Sequence, residues 1–353
     1  MLEKNISPFS FVIGMLVALG MILSMSVLLP HDSYHRYQSY DSVTTQKTDW
    51  IYERLHFDPA PIDVVLIGTS RMGGGLSAPL IEQYFCAATG NHIQIANFSV
   101  PELGRNMHYA IAQEATGTKA PELIVVELNE IESRKPHNGF VAIASAKDIL
   151  TAPIAININY FSDIIRLPGR QAQLFFSALV NSYHLRKAFD PEAYPGRHLD
   201  RTQILDQIDG TVISRDFTLP QAQLEALTER RLAMQKPIYI LPKPLRALEY
   251  RFSKHYLEKI RRSVKDIGAT TDFVYLPAYK SPEKLPPALS ESLGLRMPPI
   301  TIGEHTRTNP DMWIDATHVN ANGARLQSLN FAQKLAGKYP GLGTPTSTCS
   351  MIK

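Results

Sequence analysis

Ile62-Asp63-Val64-Val65-Leu66-Ile67-Gly68-Thr69-Ser70 decides the fold. A short β-branched run stopped by glycine reads as a buried strand feeding a tight turn. Such a turn holds Ser70 Oγ at the C-terminal edge of a sheet, where α/β proteins keep their chemistry. Downstream the rhythm continues. A glycine-rich turn, Gly73-Gly74-Gly75, precedes a helix from about Ser77 to Ala88, then strand Ile93–Asn97, helix Arg105–Ala115 and strand Leu123–Leu128. Strand, helix, strand in this order predicts right-handed parallel crossovers.

The rhythm fails from Ile131 to about Gln235, where helical patches such as Gln171–Phe189 lie among prolines, and the stretch reads as a mostly helical insertion. The sheet is expected to resume at Pro237-Ile238-Tyr239-Ile240-Leu241, with an amphipathic helix Leu245–Ile267, strand Asp272–Leu276 and a proline-rich loop Pro277–Pro310. A loop of that length suits a lid or docking surface as well as a tethered surface segment, and Tyr279, Pro298, Pro299 and Trp313 offer faces on which a sugar ring would stack. Asp315-Ala316-Thr317-His318 follows, just before a last helix, Asn322–Lys338.

Acid and imidazole three residues apart let one loop fix the His318 tautomer through Asp315 while the other ring nitrogen faces a serine. Each fragment alone is also what an ordinary turn or helix cap would give. Order and placement favour chemistry: the serine follows the first strand of the soluble part and the Asp-His pair precedes its last helix.

On these residues the chain resembles the SGNH (GDSL-like) hydrolase superfamily, over most of residues 60–340 in block order. Gly68-Thr69-Ser70 looks like the first block, with Thr69 in place of the commoner Asp. Asn97 to Pro101 looks like the second, with Glu102 where a glycine is expected and Gly104 the nearest glycine. The strand Leu123–Leu128 running into Asn129-Glu130 resembles the third, with Glu127 replacing its glycine and Glu130 its final acid. Asp315 and His318 match the fifth. The resemblance implies an α/β fold with a flavodoxin-like three-layer parallel sheet flanked by helices. It also implies a serine acyltransferase or esterase: Ser70 as nucleophile, His318 as base, Asp315 as its orienter and Asn129 as a side-chain oxyanion donor. Membrane-anchored members suggest transfer of an acyl group, acetyl above all, to or from a cell-surface polysaccharide, beside a membrane-bound O-acyltransferase as partner. A second reading, from a different class, is a non-catalytic assembly or polymer-binding subunit. Glu102 and Glu127 favour it, because carboxylates near an oxyanion hole would oppose its charge.

Phe9 to Leu29 is an uncharged run of 21 residues, long enough for one bilayer crossing. A cleaved signal peptide has a shorter core, and Ser24-Met25-Ser26 is followed by further apolar residues, so an uncleaved anchor is the expectation. Lys4 on one side and Arg36 and Lys47 on the other give little positive-inside contrast. The expected location is the bacterial inner membrane, single pass, with the large domain on the extracytoplasmic side. The organisation expected is a tail and anchor (1–30), a juxtamembrane linker (31–58), the catalytic domain (59–340, insertion about 131–235) and a polar tail (341–353).

A net charge of +3 gives no argument for nucleic acid. The cations Arg251, Lys254, His255, Lys259, Arg261, Arg262 and Lys265 interleave with apolar residues at helical spacing, as a solvated face over an apolar one does. Two cysteines, Cys86 and Cys349, make neither a disulfide framework nor a metal site; one bridge between them stays open. His31 with His35, and Glu304 with His305, fall short of a ligand set, so no metal or cofactor is expected.

Overall fold

The computed structural model describes residues 8–40, 48–179, 188–206 and 211–349. Lys4, Lys47 and part of the Gln171–Phe189 stretch lie outside them. The chain divides into two compact units, one of Met1–Tyr40 with Val141–Ala188, the other of Asp41–Phe140 with Phe189–Lys353. This partition differs from a linker followed by one domain with an insertion: residues 141–188 group with the N-terminal helix, while 189–235 group with the sheet.

The second unit is built on five parallel strands: β1 Val64–Ile67, β2 Ile95–Asn97, β3 Leu123–Leu128, β4 Thr270–Tyr275 and β5 Ile300–Thr301. Their order across the sheet is β2-β1-β3-β4-β5. Val64 stands beside Ile95 on one side and Leu123 on the other, and Leu123 beside Thr270. Successive connections therefore run to opposite sides of β1, and the order reverses between β1 and β3, the position where open α/β sheets take their ligands. Val64, Leu66 and Val125 face a core shared with Ile81 and Phe85 of helix Ala78–Thr89 and Phe331 and Leu335 of helix Ala321–Lys338. Alternate residues such as Val65 and Val126 turn to the other face, also buried. Coverage of both faces is why these strands are continuous apolar runs.

Pro237–Leu241 is not a strand. Prolines at 237 and 242 remove donors from both ends of the run. Four of its backbone groups go to side chains instead: Ile240 and Leu241 N–H donate to the Glu249 carboxylate, and Arg134 donates to the carbonyls of Pro237 and Ile238. The fifth strand comes from inside the proline-rich loop, where Ile300 pairs with Val274 and Thr301 with Tyr275. The helix expected from Leu245 breaks at Tyr250 and runs Arg251–Asp266, burying Phe252, Tyr256, Ile260 and Val264 beneath its basic face. Gly73 to Gly75 lie inside a short helix, Ser70–Gly75, rather than a turn.

Two segments expected to be peripheral are held. In the 31–58 stretch, helix Thr48–His56 buries Trp50, Ile51 and Leu55, and Arg54 donates to the carbonyls of Ala60 and Pro61. The C-terminal tail is held at two points. Thr344–Pro345 pairs with Asn91–His92, and Cys349 closes a disulfide with Cys86 across 263 residues of chain.

In the first unit, helix Pro8–Val27 is long and apolar enough to cross a membrane, with mean hydropathy 2.2 in its best window. Helix Tyr160–Leu179 packs against it, and Gln171 Nε2 donates to the carbonyl of Val27 at 3.1 Å.

Candidate active site

The turn after β1 is shaped by a carboxylate. Glu127, fully buried near the end of β3, accepts the Thr69 N–H through Oε2 at 2.5 Å and the Thr69 hydroxyl through Oε1 at 2.9 Å. A Cβ on Gly68 would lie 2.3 Å from that Oε2, so residue 68 has to be glycine. Thr69 in turn caps the short helix, its Oγ1 accepting the Arg71 N–H at 3.2 Å. The result delivers Ser70 to the C-terminal edge of the sheet. Glu127 is thus a brace under the turn, not a wall of the cleft above it, which removes one of the two carboxylates that spoke against catalysis.

Burial outweighs the Thr69 hydrogen bonds and the charges of Arg71 and Arg105, and raises the Glu127 carboxyl above its ordinary value. An acid with a raised folded pKa stabilises the fold below its unfolded value, and that contribution is lost as pH rises through the folded one. Stability should therefore fall as pH climbs from the ordinary carboxylate range through the raised value. Glu127→Gln keeps an acceptor for the Thr69 N–H and does not ionise. Its melting temperature relative to wild type should improve by a few degrees between acid and mildly alkaline pH; parallel curves for the two proteins would contradict a raised Glu127.

Ser70 Oγ lies 2.8 Å from His318 Nε2, and His318 Nδ1 lies 2.8 Å from Asp315 Oδ2. Because a carboxylate only accepts, Nδ1 carries the proton and Nε2 is left to accept from the serine. The loop that holds this pair is over-determined. Asp315 Oδ1 accepts the Thr317 N–H, the Thr317 hydroxyl and the His318 N–H at 2.6, 2.8 and 2.8 Å. Trp313 and Val319 bridge on either side of it, and Ile314 N–H donates to the His318 carbonyl. Burial works to raise the Asp315 carboxyl, but the hydrogen bond and charge of His318, with the Thr317 donors, hold it well below the usual range.

Ser70, Asp315 and His318 line one cleft of ≈ 280 Å³, with Pro101, Ile204, Leu205 and Ile314 as apolar wall and Arg201 and Arg215 beside them. Asn129 is not part of that lining. Its side chain is buried behind the turn, where Oδ1 accepts weakly from Arg71 at 3.5 Å. Arg71 itself grips Glu130 with both terminal nitrogens, at 2.7 and 3.1 Å, and Glu130 also accepts from Arg231 and the Ser281 hydroxyl. Arg71, the residue after Ser70, is thereby tied to the end of β3, to helix Gln221–Met234 and to the loop after β4. Breaking such a buried pair costs about 3–5 kcal/mol, so its role is to hold the turn. Tyr279 and Trp313, offered as stacking faces, are both 1% exposed. They pack on each other at 5.8 Å, and the Trp313 indole N–H donates to the Thr306 carbonyl. They anchor the Asp315 loop rather than open a groove.

The stretch 189–235 supplies what the sequence reading missed. Arg215 is buried, donates to the Val319 carbonyl at 2.7 Å and places its cation near Asp315. Burial lowers its pKa, and the charges of Asp315 and Asp200 oppose that. The only hint was the glycine run. A Cβ on Gly74 would meet the Arg215 guanidinium at 2.5 Å, and one on Gly75 would meet Gln327 Oε1 at 2.7 Å. Glu102 has φ 66, a left-handed conformation that favours glycine, at the position where the resemblance expects one. Among the described residues, no group of three or more His, Cys, Asp or Glu side chains is placed to hold a metal ion.

No protein-family model matches this chain, and no curated protein matches it at a significant level.

Proposed function

We propose that this protein is a membrane-anchored serine acyltransferase of SGNH type, moving an acyl group, acetyl above all, between a donor and a hydroxyl of an extracytoplasmic polysaccharide. The observation that carries the reading is the pair of 2.8 Å contacts joining Ser70, His318 and Asp315 at the C-terminal edge of a parallel sheet. The chemistry follows from the geometry. Ser70 Oγ attacks the acyl carbonyl while its proton passes to His318 Nε2; the imidazolium is stabilised by Asp315 and returns the proton to the leaving group. In the second half an acceptor hydroxyl gives its proton to Nε2 and attacks the acyl-serine, and Nε2 passes that proton to the departing Ser70 Oγ. Water in place of the hydroxyl makes the same site an esterase. The Ser70 backbone N–H, at the first position of its helix, is the oxyanion donor this reading uses; Asn129 does not line the cleft and takes no step.

Two features support the extracytoplasmic side. Helix Pro8–Val27 supplies an anchor, and a disulfide in the sheet unit persists in oxidising compartments and not in the cytosol. An anchored enzyme draws its acyl group most directly from a membrane-bound O-acyltransferase, the partner proposed here. The test is a fluorophosphonate label on the full chain. Labelling of wild type and its loss in Ser70→Ala is the expected result. An unlabelled wild type of normal melting temperature would overturn the assignment and leave the assembly or polymer-binding reading.

A further inference from the structure

Helix Tyr160–Leu179 leaves part of its apolar stripe outside. At 3.6 residues per turn, Phe161, Ile164, Ile165, Pro168, Ala172, Phe175, Phe176 and Leu179 fall in one sector about 120° wide, and every one of them is apolar. One side of that sector faces outward: Phe161, Ile165, Phe176 and Leu179 are 57–78% exposed, while Ile164, Pro168, Ala172 and Phe175 are half-buried. The buried side of the helix mixes polar groups with two leucines. Asp163, Leu167, Gln171 and Leu174 are buried, and Arg170 donates to the carbonyls of Val141 and Ala144. Ser162, Arg166 and Gln173 flank the apolar sector. The segment leading into the helix extends the same exposed character through Leu150, Ile154 and Ile158.

A helix of a water-soluble unit turns its apolar stripe inward, because burying it is what stabilises the helix. Here part of the stripe stays outside, which calls for an apolar surrounding beyond the unit. The same unit contains one: helix Pro8–Val27, uncharged and with none of its residues buried, packs on Tyr160–Leu179, and Gln171 donates to its last residue, Val27. We propose that Tyr160–Leu179 is a second membrane-contacting element, its Phe161/Ile165/Phe176/Leu179 face bedded in the lipid that Pro8–Val27 crosses. The unit then meets the bilayer along two helices. One spans it, and the other lies in its surface with the Arg166 and Gln173 flank toward water, as interfacial amphipathic helices do. The proposal rests on the anchor reading of Pro8–Val27 and is independent of the serine chemistry.

The two native cysteines are paired, so an introduced cysteine is the sole reactive thiol of the oxidised protein. The full chain carrying Ile165→Cys, Phe176→Cys, Gln173→Cys or, as anchor control, Leu16→Cys is spin-labelled and reconstituted in phosphatidylcholine–phosphatidylglycerol vesicles. Collision of each label with oxygen, which enriches in lipid, is compared with collision with a water-soluble nickel chelate. Labels at 165, 176 and 16 should favour oxygen several-fold over the label at 173. Labels at 165 and 176 that favour the nickel chelate, while 16 favours oxygen, would overturn the proposal and leave the anchor intact. Labels at 165 and 176 shielded from both probes would also overturn it, assigning the face to a protein partner or a second copy. A water-exposed label at 16 would overturn the anchor reading itself.

Discussion

Ser70→Ala should lower turnover of a small chromogenic acetyl ester by at least 10³-fold, toward the roughly 10⁶ that loss of a triad nucleophile costs, while the melting temperature stays within experimental error of wild type. The two parts of that expectation have separate physical origins. Among the described residues the side chain bonded to the Ser70 hydroxyl is His318, its proposed base, at 2.8 Å, and Ser70 is half-buried at the mouth of a cleft. Removing Oγ leaves no cavity in the core and no buried donor without a partner, so neither of the usual sources of large destabilisation applies. His318→Ala should cost as much in turnover, and the double variant no more than either single one, because both groups act in one step. Additive losses would mean that they work independently and that the 2.8 Å contact is incidental. Activity within about tenfold of wild type would exclude Ser70 as the nucleophile.

That these three residues could be named from sequence, and Arg215 could not, has a physical reason. Ser70 and the Asp315–His318 loop are marked by local signals: a β-branched run ended by glycine, and an acid positioned to accept the N–H groups two and three residues on. Local signals also gave β1, β2, β3 and the helices at Ala78, Arg105 and Ala321 to within a few residues. Arg215 reaches the cleft only because a segment with no motif folds back on the Gly73-Gly74-Gly75 helix. The same distinction accounts for the misread strand. Pro237–Leu241 has the composition of a buried strand, but composition is silent about whether a sheet edge is free to receive it, and here Glu249 and Arg134 take its backbone groups first. β5, only two residues long, carries no periodicity at all, and exists because Val274 and Tyr275 offer an edge. The grouping of 141–188 with the anchor helix, and the pairing of Cys86 with Cys349, are contacts between distant parts of the chain that spacing cannot choose.

Asp315→Asn should reduce turnover by about 10⁴-fold without a comparable loss of stability, and the hydrogen bonds of this loop say why. Asp315 Oδ1 accepts three donors, two of them the backbone N–H groups of Thr317 and His318, while Oδ2 faces His318 Nδ1. Asparagine has one oxygen for these two tasks. Placing it toward the backbone keeps the loop, but turns the amide NH₂ toward Nδ1, which must then give up its proton. The imidazole shifts to the Nε2–H tautomer and cannot accept from Ser70. Flipping the amide restores an acceptor at Nδ1 but sets NH₂ against two backbone donors, which costs about 1–3 kcal/mol for each buried group left unsatisfied. The folded loop therefore selects the catalytically wrong tautomer. A residue serving only as a turn former would behave otherwise, since Asn accepts these backbone bonds about as well as Asp. Turnover and melting temperature measured on the same preparation separate the two. Lost turnover at an unchanged melting temperature assigns Asp315 to the orientation of His318; unchanged turnover would remove Asp315 from the site and reduce the Asp-x-x-His pair to loop architecture.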